Sequence, residues 1–274
     1  VNWLVGRKVS ITSSRPQTTR NLIRGVVNQP GSQMVLVDTP GLHKPRTELG
    51  NRLNRLVYGT LKDADAVAFL VDATQPVGTG DRLIVERLKQ AECQVVLVVT
   101  KTDIASRAQV TLQLTEAAGW DFAAYVPVSA VGDDGHIALL QELEGFLPEG
   151  HPYFPEGMVS DQPEEYLVAE LVREKFLDRL RDELPHSLTV RVDEMTTRPD
   201  GLLHVAASVI VERDSQKGIV IGDSGAMLKV AGTEARIELE SLFATRVFLD
   251  LRVRIEPDWQ RRPALLDRLG FSDR

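Results

Sequence analysis

The stretch that decides the fold is Val35-Leu-Val-Asp-Thr-Pro-Gly41, VLVDTPG. An apolar, β-branched run ends in an aspartate and then turns through Thr39, Pro40 and Gly41. A carboxylate at a strand tip can hold Mg²⁺ through water, and a glycine just past it lets a backbone N–H approach a phosphate. The bland alternative is a Pro-Gly turn with a capping aspartate. Taken alone the seven residues fit both readings, and the surrounding sequence has to separate them.

Working outward, the runs Met34–Asp38, Ala66–Asp72, Gln94–Thr100 and Tyr125–Val128 read as strands buried on both faces. Helical patterns lie between them, at about Leu49–Leu61, Asp81–Gln90, Ala108–Ala118 and His136–Phe146. In Asp81–Gln90 the apolar positions Leu83, Ile84 and Leu88 share a predicted face. Strands alternating with helices predict an α/β domain with a parallel sheet covered on both sides.

Polar motifs come directly after these strands. Thr100-Lys-Thr-Asp103 comes after VVLVV, and Ser129-Ala130 comes after Tyr125–Val128. A carboxylate at Asp103 can accept two N–H donors from a guanine edge, which adenine lacks. The Lys101 stem can lie over the base plane. A backbone N–H at Ser129-Ala130 can meet the guanine O6. Each alone reads equally as a solvated loop. Together with Asp38 they stand at the carboxyl ends of predicted strands, the edge at which open α/β sheets bind ligands. That coincidence favours a guanine nucleotide. Upstream, Ser13-Ser-Arg-Pro-Gln-Thr-Thr-Arg20 offers hydroxyls, Thr18 and Thr19 among them, that can reach Mg²⁺ when a γ-phosphate is present.

Residues 147–163 break the rhythm with four prolines and two glycines. The expected organisation is a nucleotide domain over 1–150, a linker over 151–163 and a second domain over 164–274. The second half has a different pattern: a long amphipathic helix over Glu164–Leu184, strands at Ser187–Met195 and Leu202–Glu212 around an Arg198-Pro-Asp-Gly201 turn, a helix running to about Phe243, and a last strand at Val247–Ile255. Between these lies GIVIGDSGAMLK, in which Gly222-Asp-Ser-Gly225 follows an apolar turn. A GxxG loop at a helix start lets a nucleic-acid backbone approach bare N–H groups. Ile219, Val220, Ile221 and Leu228 are the expected groove. Asp223 is unhelpful to phosphate; Lys217, Lys229 and Arg213 offset it. A helix start with two convenient glycines is the plain alternative.

The 274 residues carry a net charge of −7, which disfavours non-specific nucleic-acid binding and confines any RNA contact to a local groove. The single cysteine, Cys93, reads as a small buried hydrophobe in a reduced, cytosolic protein. The five histidines show no metal-ligand spacing.

At this point a resemblance becomes specific. SSRPQTTRNLIRGV, VDTPGLHKPRTELG, TKTD, VPVSA, REKFLDRLRDELPHS, ERDSQKGIVIGDSG and EPDWQRRPALLDRLGF, in that order, resemble the Era family of bacterial GTPases along essentially the whole chain. The resemblance implies a Ras-like GTPase domain followed by a type II KH domain. It implies GTP and GDP as ligands with Mg²⁺, the 3′ region of 16S rRNA and the 30S subunit as partners in small-subunit maturation, a monomer, and a peripheral contact with the inner membrane. On the matching positions it implies Thr18, Thr19 and Gly41 in catalysis, and Thr18 and Asp38 at the metal. Asp38, Thr39, Pro40, Gly41, Leu42, Thr100, Lys101, Asp103, Ser129 and Ala130 would meet the nucleotide. Lys217, Ile219, Ile221, Gly222, Asp223, Ser224, Gly225 and Lys229 would meet RNA.

Two departures qualify it, and a further position, Leu42, bears on rate. No G-x-x-x-x-G-K-[ST] phosphate loop occurs in the 274 residues. In the family that loop and its strand precede a helix matching VNWLVG, so the expectation is that roughly 20 residues, a strand plus loop, lie ahead of Val1. Without them GTP binding should be weak. Thr100 replaces a usual Asn and loses its planar amide. Leu42 stands where Ras-like enzymes use a glutamine to orient water, which predicts slow intrinsic turnover and acceleration by a partner or RNA. The competing reading is an RNA-binding ribosome factor whose nucleotide domain is a non-hydrolysing scaffold. A metabolic NTP-dependent enzyme is disfavoured, because no cluster suited to a small substrate appears.

Overall fold

The computed structural model describes residues 1–15, 17–42, 44–91 and 93–271. It forms two compact units. The first comprises Val1–Arg7, Gly25–Leu36 and Arg55–Val159; the second comprises Lys8–Arg24, Val37–Asn54 and Ser160–Arg274.

Along the first half of the chain the elements are α1 (Asn2–Val5), β1 (Ile23–Gln29), β2 (Ser32–Asp38), α2 (Glu48–Asp63), β3 (Ala66–Asp72), α3 (Thr79–Gln90), β4 (Gln94–Thr100), α4 (Arg107–Ala117), β5 (Ala124–Pro127) and α5 (His136–Glu144). The last three strands form a parallel sheet in the order β3-β4-β5, with Asp72 opposite Thr100 and Val99 opposite Pro127. β4 is its centre because its sequence is apolar on both faces. Val95, Leu97 and Val99 pack with Phe69, Val85 and Trp120, while Val96 and Val98 pack with Val126, Leu139 and Leu143. Burying each such side chain contributes about 1.5–3 kcal/mol. Among the described residues β3 pairs on one side only, and Leu70 on its outer face is 60% exposed.

Two expectations for this unit are corrected. β1 was not foreseen. Arg24 and Gly25 interrupt its apolar alternation, and the signal that exposes it is the Pro30-Gly31 turn, which only an antiparallel pair can use so tightly. In α3 the buried residues are Val85 and Leu88 with Ile84 partly covered, whereas Leu83 is 54% exposed.

The second unit carries α6 (Glu164–Leu177), α7 (Leu184–Ser187), β6 (Thr189–Thr197), β7 (Leu203–Val211), α8 (Asp214–Ile221), α9 (Ala226–Phe243), β8 (Val247–Ile255) and α10 (Pro263–Arg268). β7 is central, antiparallel to β6 and parallel to β8 from Leu203–Val247 to Val211–Ile255. Its alternate residues Val205, Ala207, Val209 and Val211 face the core under α6, α8 and α9. The single long helix expected over Glu164–Leu184 is broken. It stops at Leu177, Asp182 takes a left-handed φ of 54°, and Pro185 starts a new short turn, since proline cannot continue a helix without losing a hydrogen bond. The expected apolar turn over Ile219–Ile221 is instead the end of α8.

Residues 8–24 also belong to this unit. Ile11 is buried with Val168, Leu171 and Leu177. Lys8 Nζ bridges Glu174 at 2.7 Å, and the Thr12 N–H donates to the same carboxylate at 2.8 Å. No helix among the described residues is long and apolar enough to cross a membrane.

Burial pushes the Glu174 carboxyl up, but hydrogen bonds from Lys8, Thr12 and Lys175 outweigh it and hold it below its ordinary value. A depressed carboxylate stabilises the fold above its unfolded pKa of about 4.3, and that stability is lost as pH falls through the lower folded value. Glu174→Gln should therefore melt lower than wild type at pH 7, with a shallower loss of melting temperature on going to acid. Parallel acid limbs in thermal melts would contradict this.

Candidate functional site

In the first unit, strand register builds one corner. The Val128 N–H donates to Val99 O at 2.8 Å, and the Thr102 N–H donates to Val128 O at 3.3 Å, so the loops after β4 and β5 lie side by side. Ser129 is buried, and its hydroxyl donates to Asp103 Oδ1 at 2.7 Å while accepting the Gly132 N–H at 2.8 Å. Asp103 is otherwise exposed, and its second oxygen has no further partner among the described residues. Ser129 also exchanges backbone hydrogen bonds with Asp134, at 2.9 and 3.0 Å. Its own N–H is thereby committed, and the exposed Ala130 is the neighbouring position. Gly135 closes this loop at φ 81°, where a Cβ would lie 2.6 Å from Pro127 O; only glycine fits.

Lys101 and Thr100 are engaged in ways the sequence did not disclose. Lys101, at a left-handed φ of 60°, puts its Nζ 2.7 Å from Asp72 Oδ2. Burial raises the Asp72 carboxyl, but hydrogen bonds from Lys101 and Thr74 outweigh it and leave it below the ordinary value. The Thr100 hydroxyl donates to Val71 O at 2.9 Å, tying β4 to β3. Asp72 escaped the sequence reading; the signal was an aspartate ending β3 in register with Thr100.

The second unit holds Val37–Gly41 of the VLVDTPG stretch and its partners. Thr19 Oγ1 donates to Asp38 Oδ2 at 3.2 Å. Burial pushes the Asp38 carboxyl above its ordinary value, against hydrogen bonds from Thr19, Ser10 and the Thr39 backbone. Thr18 turns elsewhere: its hydroxyl donates to Arg15 O at 2.8 Å. Thr39 and Leu42 are half-buried, Pro40 is buried and Gly41 is exposed. Pro16 of the PQTTR run lies outside the described residues. The donor set is all oxygen, with one carboxylate and neighbouring hydroxyls, and no group of three or more His, Cys, Asp or Glu gathers among the described residues. Mg²⁺ suits such a set, since it takes one or two carboxylates and fills its remaining positions with water and phosphate.

The GxxG segment of the second unit is a tight link between α8 and α9. Gly222 has φ 73°, and a Cβ there would lie 2.8 Å from the Met227 backbone nitrogen. Ser224 and Gly225 also take positive φ, 51° and 82°. Asp223 and Ser224 are exposed at the tip. Ile219 is 55% exposed, Ile221 and Lys217 are half-buried, and Lys229 is exposed. Val220, expected in the groove, is fully buried in the core and out of reach of a ligand.

Known proteins share this arrangement. A family described as "50S ribosome-binding GTPase" matches residues 1–101, and one described as "KH domain" matches residues 183–260. GTPase Era of Mycobacterium bovis (strain BCG / Pasteur 1173P2) is 50% identical over 98% of this chain and 92% of its own length. GTPase Era of Nocardioides sp. (strain ATCC BAA-499 / JS614) is 51% identical over 98% of this chain and 90% of its own. A crystal structure of an Aquifex aeolicus Era variant bound to GDP·AlF4⁻ superposes with a TM-score of 0.94 at 35% identity, covering 99% of this chain and 93% of that one. A crystal structure of Era with MgGDPNP and nucleotides 1506–1542 of 16S ribosomal RNA matches equally well. Two-unit architecture, motif order and identity over nearly the full length agree, and the chain belongs to the Era family of GTPases.

Proposed function

We propose that this protein binds GTP and GDP with Mg²⁺, hydrolyses GTP, and binds single-stranded RNA of the 3′ region of 16S rRNA during 30S maturation. The observation that carries the nucleotide half is the Asp103–Ser129 pair: a carboxylate fixed by a buried hydroxyl, with one oxygen open, where two parallel strands end. Asp103 accepts the N1 and N2 donors of guanine, and the Ala130 N–H meets O6, because Ser129's own N–H is already used. Lys101 covers the base with its stem. Thr100 braces the strands beneath through Val71.

Asp38 and Thr19 fit the metal position, with Thr18 beside them, and Mg²⁺ would supply charge neutralisation for the transferring phosphoryl group. A half-buried carboxylate at a strand end with a hydroxyl beside it is suited to a cation. Thr39, Pro40 and Gly41 place a backbone N–H near the γ-phosphate. Leu42 orients no water, so intrinsic turnover is slow.

In the RNA half, the positive φ angles of Gly222, Ser224 and Gly225 turn the tip so that a sugar-phosphate backbone can approach. Ile219 and Ile221 face unstacked bases, and Lys217 and Lys229 supply local positive charge. The Era–RNA complex supports this reading, since its architecture matches over 99% of the chain.

Asp103→Asn decides the base assignment. An amide offers a donor toward the C2 carbonyl of xanthine, so GTP affinity should fall by about 100-fold or more while XTP binding appears. Equal loss of both, or no change for GTP in a titration, would refute the assignment. For RNA, Ser224→Asp adds a carboxylate at the tip and should weaken a short single strand by about tenfold, without changing the melting temperature. Gly222→Ala should both destabilise the second unit, by about 1–3 kcal/mol, and lose RNA affinity, because φ and space each require glycine there. Hydrolysis that never exceeds background would leave the scaffold reading standing.

A further inference from the structure

The most heavily built part of the second unit outside the binding loops is a buried arginine pair. Arg20 ends the SSRPQTTR run and is 4% exposed. Its guanidinium donates to Leu188 O at 2.7 Å and to Pro185 O and His186 O at 2.9 Å each. Arg173 on α6 is 0% exposed; it forks onto Glu170 at 2.7 and 2.6 Å and also donates to the Thr18 carbonyl. Its Nη1 is buried without a hydrogen-bond partner among the described residues. Glu170 thus pairs with Arg173, while Arg20 is held by backbone carbonyls. Burial, then the neighbouring Arg173, pulls Arg20 down to about 9, which still leaves it charged at neutral pH.

Such a pair is a poor choice for stability alone, because desolvating each ion costs several kcal/mol and apolar residues fill the same space more cheaply. What it supplies is a unique position. The fork and three carbonyls fix the chain direction at Arg20, and the Arg173 contact fixes Thr18 two residues earlier. Between them lies Thr19, whose hydroxyl sits 3.2 Å from Asp38. The same run is tied along α6 and the turn after it: Ser13 Oγ donates to Asp178 at 2.8 Å, and the Arg15 guanidinium donates to Leu180 O at 3.2 Å.

We propose that Arg20 and Arg173 are positioning residues of the nucleotide site, a buried clamp that seats the Thr18–Thr19 hydroxyls by fastening their loop to α6 and to the 185–188 turn. The proposal rests on the GTPase reading. It assigns the placement of the metal-side hydroxyls to the unit that carries the GxxG loop. Nucleotide chemistry at Thr19 and the seating of α6 then become one mechanical element.

The test is Arg20→Lys in the full-length protein. Lysine keeps the charge but cannot hold three carbonyls in a planar fork. The expected result is a kcat for GTP hydrolysis lowered about 10- to 100-fold and a raised Mg²⁺ concentration for half-maximal rate, with GDP affinity and affinity for a short RNA strand unchanged. A merely structural role would lower the melting temperature and reduce kcat, GDP affinity and RNA affinity together. Unchanged kcat and unchanged Mg²⁺ requirement in a folded variant would overturn the clamp. Limited trypsin digestion of the wild type gives an independent arm that needs neither hydrolysis nor a variant. With its guanidinium held by Pro185, His186 and Leu188, Arg20 should resist cleavage while the protein is folded; a rapid cut after Arg20 in the folded protein overturns the proposal. If wild type hydrolyses no GTP while this protection is present, the GTPase reading fails and the clamp stands as a structural seat.

Discussion

Burying a guanidinium is costly unless acceptors meet its donors, and in the second unit Arg20 is met by three of them. Three carbonyls in four residues, from Pro185 to Leu188, point at one side chain. They are available because the chain breaks out of α6 after Leu177 and re-enters a short turn at Pro185. Had the helix run on to Leu184, as amphipathic spacing alone suggested, those carbonyls would lie elsewhere. The proline that opens the new turn and the arginine held by its carbonyl are 165 residues apart in sequence.

The two binding corners obey a different constraint. The base-side corner is made by strand register, which is cheap to specify: apolar β-branched runs of equal length pair in parallel, and the loops that leave them emerge at one edge. Asp103 and Ser129 meet because Val99 pairs with Pro127. The metal-side corner cannot be made that way. Asp38 ends a strand, but Thr18 and Thr19 sit in irregular chain whose backbone groups have no ladder to join. Side chains must take over that task, and ion pairs and charge-assisted hydrogen bonds from α6 and its following turn do so at Lys8, Thr12, Ser13, Arg15 and Thr18.

This difference explains which parts could be read in advance. β3, β4, β5 and the helices between them were legible because their apolar period is strong, and Asp103 with Ser129 came from position at the strand ends. The GxxG turn was legible because glycine is the residue that such φ angles demand. β1 was hidden by Arg24 and Gly25, and the helix break was hidden because Leu167, Leu171, Phe176 and Leu180 continue a helical rhythm past the real end of α6. Asp72 was legible only as the residue ending β3, not as the partner of Lys101, and the Arg20–Arg173 cluster was not legible at all. A charged residue on a helix or in a loop reads as solvated until its partners, far off in sequence, are brought beside it.

Thr100, the departure from the family's usual Asn, and Leu42, which stands where Ras-like enzymes place a glutamine, carry unequal weight in the proposed site. The Thr100 hydroxyl is spent on Val71 O, inside the sheet. A side chain that braces strands from below need not touch a base to keep Asp103 in place, so the platform survives without a planar amide. Around Leu42, the hydroxyls of Thr18 and Thr19 are directed at Arg15 O and Asp38, and neither replaces the missing glutamine. On the proposed reading Leu42 is therefore the position that bears on rate, and the seating of the Thr18–Thr19 loop is the lever through which a bound partner would change it.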